Sequence, residues 1–130
     1  MRRITGAKGQ RTIRINGFYE CTEDVSGGMP VYRKLDDYDV HLLYSPASKM
    51  WIIQAALDRG TNLKWAYLRC DPPCLPEKAL QGSWQIDEGV VFRLQEEVLV
   101  SFPTRQEVDV AERLAASVRA DGRKVFVSKF

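Results

Sequence analysis

The chain has 130 residues, the usual length of one domain, and 45% of them are hydrophobic against 28% charged. This balance indicates a globular fold and excludes wholesale disorder. The net charge of +2 is too small for a dedicated nucleic-acid-binding protein. One histidine and three cysteines exclude most metal cages, multi-histidine active sites and disulfide frameworks. We therefore expect a small domain that is not an enzyme, with no metal and no cofactor. No apolar run approaches the roughly 18 residues of a membrane span.

The first two-thirds of the chain alternates short apolar segments with turn residues, which is typical of antiparallel β-structure. Residues 1–10 carry basic charge without an apolar segment, and they predict a flexible basic extension to a single domain over 11–130. Extended segments are predicted at 11–15, 18–21, 29–35, 40–44, 50–55, 63–69, 82–86, 90–94 and 98–102. The polar segment 22–28 is predicted to be a loop. Among these nine segments we expect about seven antiparallel strands.

One amphipathic helix is predicted after Pro103. Thr104 and Glu107 have the spacing of a capping box, in which each side chain bonds the other residue's amide. Gly122 is well placed to end the helix, so we expect it over about 104–120. The apolar stripe of the helix recurs at three-and-four spacing and consists of Val108, Ala111, Leu114, Ala115 and Val118. Residues 125–127 are predicted to form a last strand or a packed tail.

His41 lies in a predicted strand without a nucleophile motif, and local hydrogen bonds explain it better than catalysis. Cys70 and Cys74 flank Asp-Pro-Pro. A zinc site would need four ligands, with Cys21 and His41 as the other candidates, and a redox pair normally has two intervening residues. We interpret the segment as a rigid loop with two incidental, reduced thiols. A small enzyme that uses either thiol with His41 remains the catalytic hypothesis.

Two other clusters favour structural interpretations. The acidic residues Asp36, Asp37 and Asp39 lack the alternating spacing and distal glutamate of a calcium loop, so we expect a solvated turn. The tryptophans are expected in the core, because basic residues do not interleave with them as they would in a nucleic-acid groove. The sequence therefore predicts no metal and no nucleic-acid partner.

Antiparallel strands followed by one C-terminal amphipathic helix are an order of elements that resembles the pleckstrin-homology fold, over about residues 11–120. Phosphotyrosine-binding domains share this order. The segments Asn16–Glu20, Gly28–Tyr32, Trp51–Ile53 and Gly82–Trp84 also resemble the inner-membrane-complex subcompartment proteins of apicomplexan parasites, which are small pleckstrin-homology-like proteins of the pellicle. The resemblance implies a mainly β fold, a seven-stranded bent antiparallel barrel capped by one helix.

The same resemblance implies a non-enzymatic protein-interaction scaffold of a membrane-associated cytoskeleton, on the cytoplasmic side of the parasite inner membrane complex. Members of that family attach to flattened membrane sacs through an N-terminal segment that is myristoylated at Gly and palmitoylated at Cys. This chain shows no such Gly-Cys start. We therefore expect membrane attachment only through an acylated segment upstream of Met1, and a soluble chain as given.

Pleckstrin-homology domains that bind phosphoinositides use converging Lys and Arg side chains on the first two strands and the loop between them. The corresponding loop here contains Glu23 and Asp24 and no base. The remaining lipid-binding candidates are Arg11, Arg14, Arg33 and Lys34. We predict a degenerate site with weak or no specific phosphoinositide binding; a peripheral phosphoinositide-binding module is the alternative. Protein partners are expected in a groove beside the C-terminal helix or at an exposed sheet edge.

Overall fold

The computed structural model describes the backbone of residues 1–128 and the side chains of residues 1–118. Over this range the fold is mainly β: one antiparallel sheet of nine strands curls into a half-barrel and is followed by one long helix. The strands are β1 (Arg2–Thr5), β2 (Gly17–Ser26), β3 (Met29–Lys34), β4 (Asp37–Ser45), β5 (Met50–Ala55), β6 (Ala66–Arg69), β7 (Gln85–Asp87), β8 (Phe92–Leu94) and β9 (Leu99–Ser101). The helices are α1 (Thr12–Ile15) and α2 (Arg105–Ser128), and short 3-10 turns occupy Ala56–Asp58 and Pro76–Lys78.

The sheet is a meander with one exception. Its strand order is β8-β7-β6-β5-β4-β3-β2-β1-β9, so β9 returns to pair with β1 at the register Ile4↔Val100. The count of nine strands exceeds the predicted seven. Five of the nine have only three or four residues, among them the entire C-terminal group β7, β8 and β9. The predicted segments already include those three; the strand that they lack is β1, and the segment at 11–15 is not a strand.

The core lies on the inner face of the sheet, which we define by the buried side chains of Trp51 and Trp84. In β5, Trp51 and Ile53 point to this inner face, and they pair across the strands with Tyr44 and Leu42. Ile52 points to the outer face and belongs to a second, smaller buried cluster. Burial on both faces explains why β5 is a continuous apolar run rather than an alternating one.

Residues 1–10 differ from the flexible extension that the sequence predicts. Arg2–Thr5 forms β1, which is hydrogen-bonded to β2 on one side and to β9 on the other, and Ile4 is fully buried. This segment has one buried apolar side chain, so its strand conformation depends on pairing with two distant segments. The predicted domain boundary at residue 11 is therefore too late.

The predicted strand at 11–15 is also wrong, because residues 12–15 form the one-turn helix α1. Main-chain amides of Ile15 and Asn16 donate to the carbonyls of Arg11 and Thr12, each at 3.0 Å. Ile15 is fully buried, whereas Ile13 is 85% exposed. Five residues of alternating character fit either a strand or one helical turn, and the tertiary position of Ile15 decides between them.

The loop predicted at 22–28 is mostly strand, because β2 continues to Ser26. The turn consists of Gly27 and Gly28, with φ angles of +60° and +79°, between the paired residues Ser26 and Met29. Positive φ at both central residues is the geometry of a two-residue type I′ hairpin turn. The β2–β3 hairpin is therefore long, and its first strand is acidic.

The capping box that begins α2 is confirmed. The Glu107 amide donates to the Thr104 hydroxyl at 3.1 Å, and the Thr104 amide donates to the Glu107 carboxylate at 3.0 Å. The helix continues to Ser128, so Gly122 lies inside it and residues 125–127 are helical rather than extended. An interior glycine weakens a helix by about 1 kcal/mol without having to end it. No helix among the described residues combines the length and hydropathy needed to cross a bilayer.

Candidate functional site

The three candidate lipid-binding arginines are each held by a carboxylate of the same chain. Arg11 on the turn before α1 donates to Asp87 at 2.8 Å, and Arg14 on α1 donates to Asp37 at 3.1 Å. Arg33 on β3 donates to Glu20 at 2.7 Å, and its guanidinium also lies over the Tyr38 ring. These pairs neutralise the cations locally and leave them on separate elements. The structure therefore does not bring them together around one anion.

Lys34, the fourth candidate, is a buried structural residue. Its side chain is 4% exposed, and its ammonium donates to the Ile13 carbonyl at 2.8 Å and lies 3.0 Å from Asp36. Because adjacent residues on a strand point to opposite faces, Lys34 shares the inner face with Tyr32, while Arg33 lies on the outer face. The sequence contains a signal for this burial, because Lys34 lies two residues after the core residue Tyr32 and therefore points to the same face of β3.

The β2–β3 hairpin carries acidic residues in the segment that the pleckstrin-homology resemblance assigned to the headgroup loop. Asp24 forms an ion pair with Arg59 at 3.0 Å, and the Gly27–Gly28 turn brings no cation to the tip. The sequence placed these acids in a loop, whereas the structure places them on an exposed strand. In both arrangements they would repel a multiply charged headgroup.

His41 lies on the outer face of the sheet, where it pairs across the strands with Arg33 and with Gln54. Its Nδ1 atom and the Oε1 atom of Gln54 are buried and have no hydrogen-bond partner within the described residues. The expectation of a locally satisfied histidine is thus only partly met. Burial lowers the pKa of His41 below its usual value, and the nearby charges of Arg59 and Arg33 lower it further. Both effects favour the neutral form of the ring.

A groove runs between α2 and the sheet, at the start of β2 and the turn from β3 to β4. It has a volume of about 240 Å³, and its lining is largely apolar. The sheet contributes Phe18 and Leu35, and the helix contributes Ala111, Leu114, Ala115 and Val118, with Asp36 at the side. This groove is one of the two types of binding surface that the sequence predicts.

The apolar residues of α2 differ in how far they are exposed. Ala115 is 1% exposed and is the point at which α2 is buried against the rest of the fold. Val110, Leu114 and Val118, which follow one another at steps of four residues, are 43%, 63% and 55% exposed. Residues four apart lie above one another on a helix, so these three form one apolar ridge. The sheet leaves most of that ridge uncovered.

The other predicted type of surface, a free sheet edge, is present at β8. Phe92 and Leu94 are 38% and 48% exposed there, and the Phe92 ring packs edge-on against Tyr67 at 5.3 Å. This strand has only three residues, and a short edge strand offers few backbone groups to a partner. At β9, the Val100 amide is already bonded to the Gln81 side chain at 3.0 Å. The groove is therefore the stronger of the two candidates.

Within the part of the chain that the structure describes, no three His, Cys, Asp or Glu side chains are grouped to hold a metal ion. Cys21 is exposed on β2, whereas Cys70 is buried at the end of β6. Comparisons with known protein families, with characterised proteins and with solved structures found no match to this chain.

Proposed function

We propose that this chain is a non-enzymatic scaffold module that binds an amphipathic helical segment of a protein partner in the groove beside α2. The observation that carries the proposal is the exposed ridge of Val110, Leu114 and Val118 next to an apolar groove. A partner helix that lies along this ridge would bury it by packing ridges into grooves, the ordinary contact between helices.

The exposed apolar area suits a contact of moderate affinity. Complete burial of a leucine or valine side chain contributes about 1.5–3 kcal/mol, and both Leu114 and Val118 are more than half exposed in the free chain. Phe18 and Leu35 on the opposite wall add apolar area. Association itself costs several kcal/mol in lost freedom, so we expect dissociation constants in the range of about a micromolar.

The side of the groove favours a basic residue on the partner. The Asp36 side chain is 55% exposed, while the ammonium it faces belongs to the buried Lys34. Burial raises the pKa of the Tyr19 hydroxyl, and the negative charges of Asp36 and Asp37 raise it further. Asp36 therefore presents an exposed carboxylate at the side of the groove, while Lys34 pairs with it and Arg14 pairs with Asp37. A lysine or arginine beside the partner's apolar residues would complement this carboxylate.

We also propose that the fold is pleckstrin-homology-like, with α2 in the place of the C-terminal helix and a degenerate phosphoinositide site. The resemblance noted from the sequence would place the partner in a membrane-associated cytoskeleton, the parasite inner membrane complex. The engagement of the candidate bases with carboxylates supports the degenerate site: Arg11, Arg14, Arg33 and Lys34 each lie within 3.1 Å of an acid.

The test is selection of helix-biased peptides on phage against the wild-type chain, followed by affinity measurement on three variants. Leu114→Asp and Val118→Asp place a charge in the groove, and Leu57→Asp is the matched control because Leu57 is 93% exposed away from the groove lining. We expect selected peptides to carry apolar residues one turn apart and a basic residue. Both groove variants should weaken binding by at least about tenfold, and the control should not.

Asp36→Asn should weaken binding less than the groove variants and should reduce its dependence on salt. The proposal is wrong if no peptide is enriched on the wild-type chain. It is equally wrong if the enriched peptides bind Leu114→Asp and Val118→Asp as tightly as the wild type. Thermal unfolding of each variant confirms that the fold is intact, which is expected because both substituted side chains are more than half exposed.

A further inference from the structure

The loop that joins β6 to the Pro76–Lys78 turn is held at both ends by the core. The Tyr44 hydroxyl donates to the Cys70 carbonyl at 2.7 Å, and the Trp51 indole donates to the Cys74 carbonyl at 2.8 Å. These two aromatic rings are themselves packed edge-on, with centroids 5.7 Å apart. The main-chain positions of both cysteines are therefore fixed by neighbouring buried side chains.

The two side chains meet inside this loop. The sulfur atoms of Cys70 and Cys74 lie 2.6 Å apart, and both residues are free thiols. Cys70 is 6% exposed, and Cys74 is half-buried. The Cys70 thiol also lies 3.5 Å from the Pro72 carbonyl, within the same loop. Formation of a bond between these sulfurs requires only a small side-chain rotation, because the ends of the loop already have the necessary positions.

We propose that Cys70 and Cys74 are a site of reversible oxidation, at which a glutathione-type disulfide converts the two thiols into an intramolecular disulfide. The sequence predicts two incidental thiols, since three residues separate them and no helix follows at once. The structure brings them together through two hydrogen bonds to the core that the spacing does not reveal. This inference is independent of the proposed peptide groove, which neither cysteine lines.

The exchange proceeds in two balanced steps. The thiolate of Cys74, the more accessible residue, attacks one sulfur of glutathione disulfide, and one glutathione thiolate leaves. The thiolate of Cys70 then attacks the Cys74 sulfur of the mixed disulfide, and the second glutathione thiolate leaves. The two cysteines have lost two protons and two electrons, and one glutathione disulfide has become two glutathione molecules.

The surroundings of Cys74 slow this exchange at neutral pH. Burial and the adjacent Cys70 thiol raise the pKa of Cys74 to about 11. Since the thiolate is the reacting species, the first step should become faster as the pH rises toward that value. The pair is therefore suited to a slowly formed, persistent bridge rather than to rapid catalytic turnover.

The test uses the full chain with Cys21→Ser, which removes the exposed third thiol. The protein is equilibrated with glutathione buffers of increasing disulfide content, quenched with acid, alkylated and weighed by mass spectrometry. We expect the reduced protein to take up two alkyl groups. The oxidised protein should take up none, lose two hydrogen atoms and carry no glutathione. Peptide mapping of the wild-type chain should show the bridge between Cys70 and Cys74.

The thiol–disulfide equilibrium is measured again in denaturing urea. This comparison shows whether the folded structure, rather than the short separation of the cysteines in sequence, favours the bridge. We expect the equilibrium constant for bridging to be at least about tenfold larger in the folded chain, and the bridged protein to melt at a higher temperature by the reciprocal coupling. Free thiols that persist in excess glutathione disulfide would overturn the proposal. So would a stable mixed disulfide without a bridge, or equal bridging constants in the folded and unfolded chains.

Discussion

The Lys34 ammonium donates a hydrogen bond to the Ile13 carbonyl at 2.8 Å and thereby joins the inner face of β3 to helix α1. Lys34, which the sequence suggests as a lipid-binding residue, thus stabilises the position of the helical turn α1. Its side chain passes so close to Gly17 that a Cβ atom there would lie 2.8 Å from the lysine Cε. A buried, charged donor of this kind is costly to remove, because its acceptor is left without a partner.

Lys34→Met should therefore destabilise the fold by about 1–3 kcal/mol, since it keeps most of the aliphatic stem and removes the donor. Arg33→Met is the matched control on the same strand. Its ion pair with Glu20 is partly exposed, and loss of such a pair costs about 0–1 kcal/mol. Urea unfolding of both variants measures the difference. Equal losses of stability would contradict the structural role of Lys34.

Phosphoinositide binding should be weak and non-specific. We expect the chain to sediment equally with vesicles that contain phosphatidylinositol bisphosphate and with charge-matched phosphatidylserine vesicles, because Arg14 and Arg33 are already paired with acids. Arg14→Ala and Arg33→Ala should leave sedimentation unchanged within about twofold. Micromolar binding of the inositol headgroup that either substitution abolishes would show that a real lipid site exists.

The β2–β3 turn allows a comparison of two neighbouring glycines. An alanine Cβ at Gly27 would lie 2.9 Å from the buried Tyr44 ring, whereas at Gly28 it would meet no atom within 4 Å. Both residues have positive φ, so each alanine costs about 1–2 kcal/mol of backbone strain. Gly27→Ala should cost at least about 1 kcal/mol more, because the turn must also move away from the ring. Thermal unfolding that ranks the two variants equally would argue against this contact.

Asp87 should make the fold sensitive to acid. The Gly89 amide holds the pKa of this carboxyl below its ordinary value of 3.8, and Arg11 lowers it further. Since the folded-state pKa is the lower one, the unfolded chain takes up the proton first as the pH falls. The stability that Asp87 contributes is therefore complete well above pH 3.8 and is lost as the pH decreases through the folded-state pKa.

Asp87→Asn should accordingly lower the free energy of unfolding at pH 7 and flatten its decrease between about pH 5 and pH 2. Arg11→Met removes one of the two causes and should give an intermediate slope. Urea unfolding across this pH range provides the measurement. A slope in Asp87→Asn as steep as that of the wild type would show that other carboxylates carry the acid sensitivity.

Local patterns predicted much of the fold correctly. Strand β5 matches its prediction at both ends, because its apolar run is bounded by turn residues on each side. The capping box of Thr104 and Glu107 needs only residues three apart, and the structure contains both of its hydrogen bonds. The strand predicted at 11–15 is wrong, because a strand would place Ile13 and Ile15 on one face, whereas the helical turn buries Ile15 and leaves Ile13 exposed.

The candidate site was also predictable from the sequence only in part. A groove beside the C-terminal helix was an expectation from the order of elements, and a groove lies there. The residues that line it were not predictable in detail, since an apolar helical stripe has the same spacing whether its side chains pack on the sheet or remain exposed. The structure buries Ala115 and leaves Leu114 largely exposed, a difference that depends on how closely the helix approaches the sheet.

The sequence by itself determined the mainly β class, the start of α2 and the bounds of β5, because these depend on side chains within a few residues of one another. Only the tertiary structure decided that Arg2–Thr5 is a strand, that Lys34 is buried and that the Cys70 and Cys74 sulfurs meet. Each of these outcomes depends on a partner that lies far along the chain: β9 for the first, α1 for the second, and Tyr44 and Trp51 for the third. Such long-range contacts do not alter the hydrophobic periodicity of the segments that form them, so the sequence pattern does not reveal them.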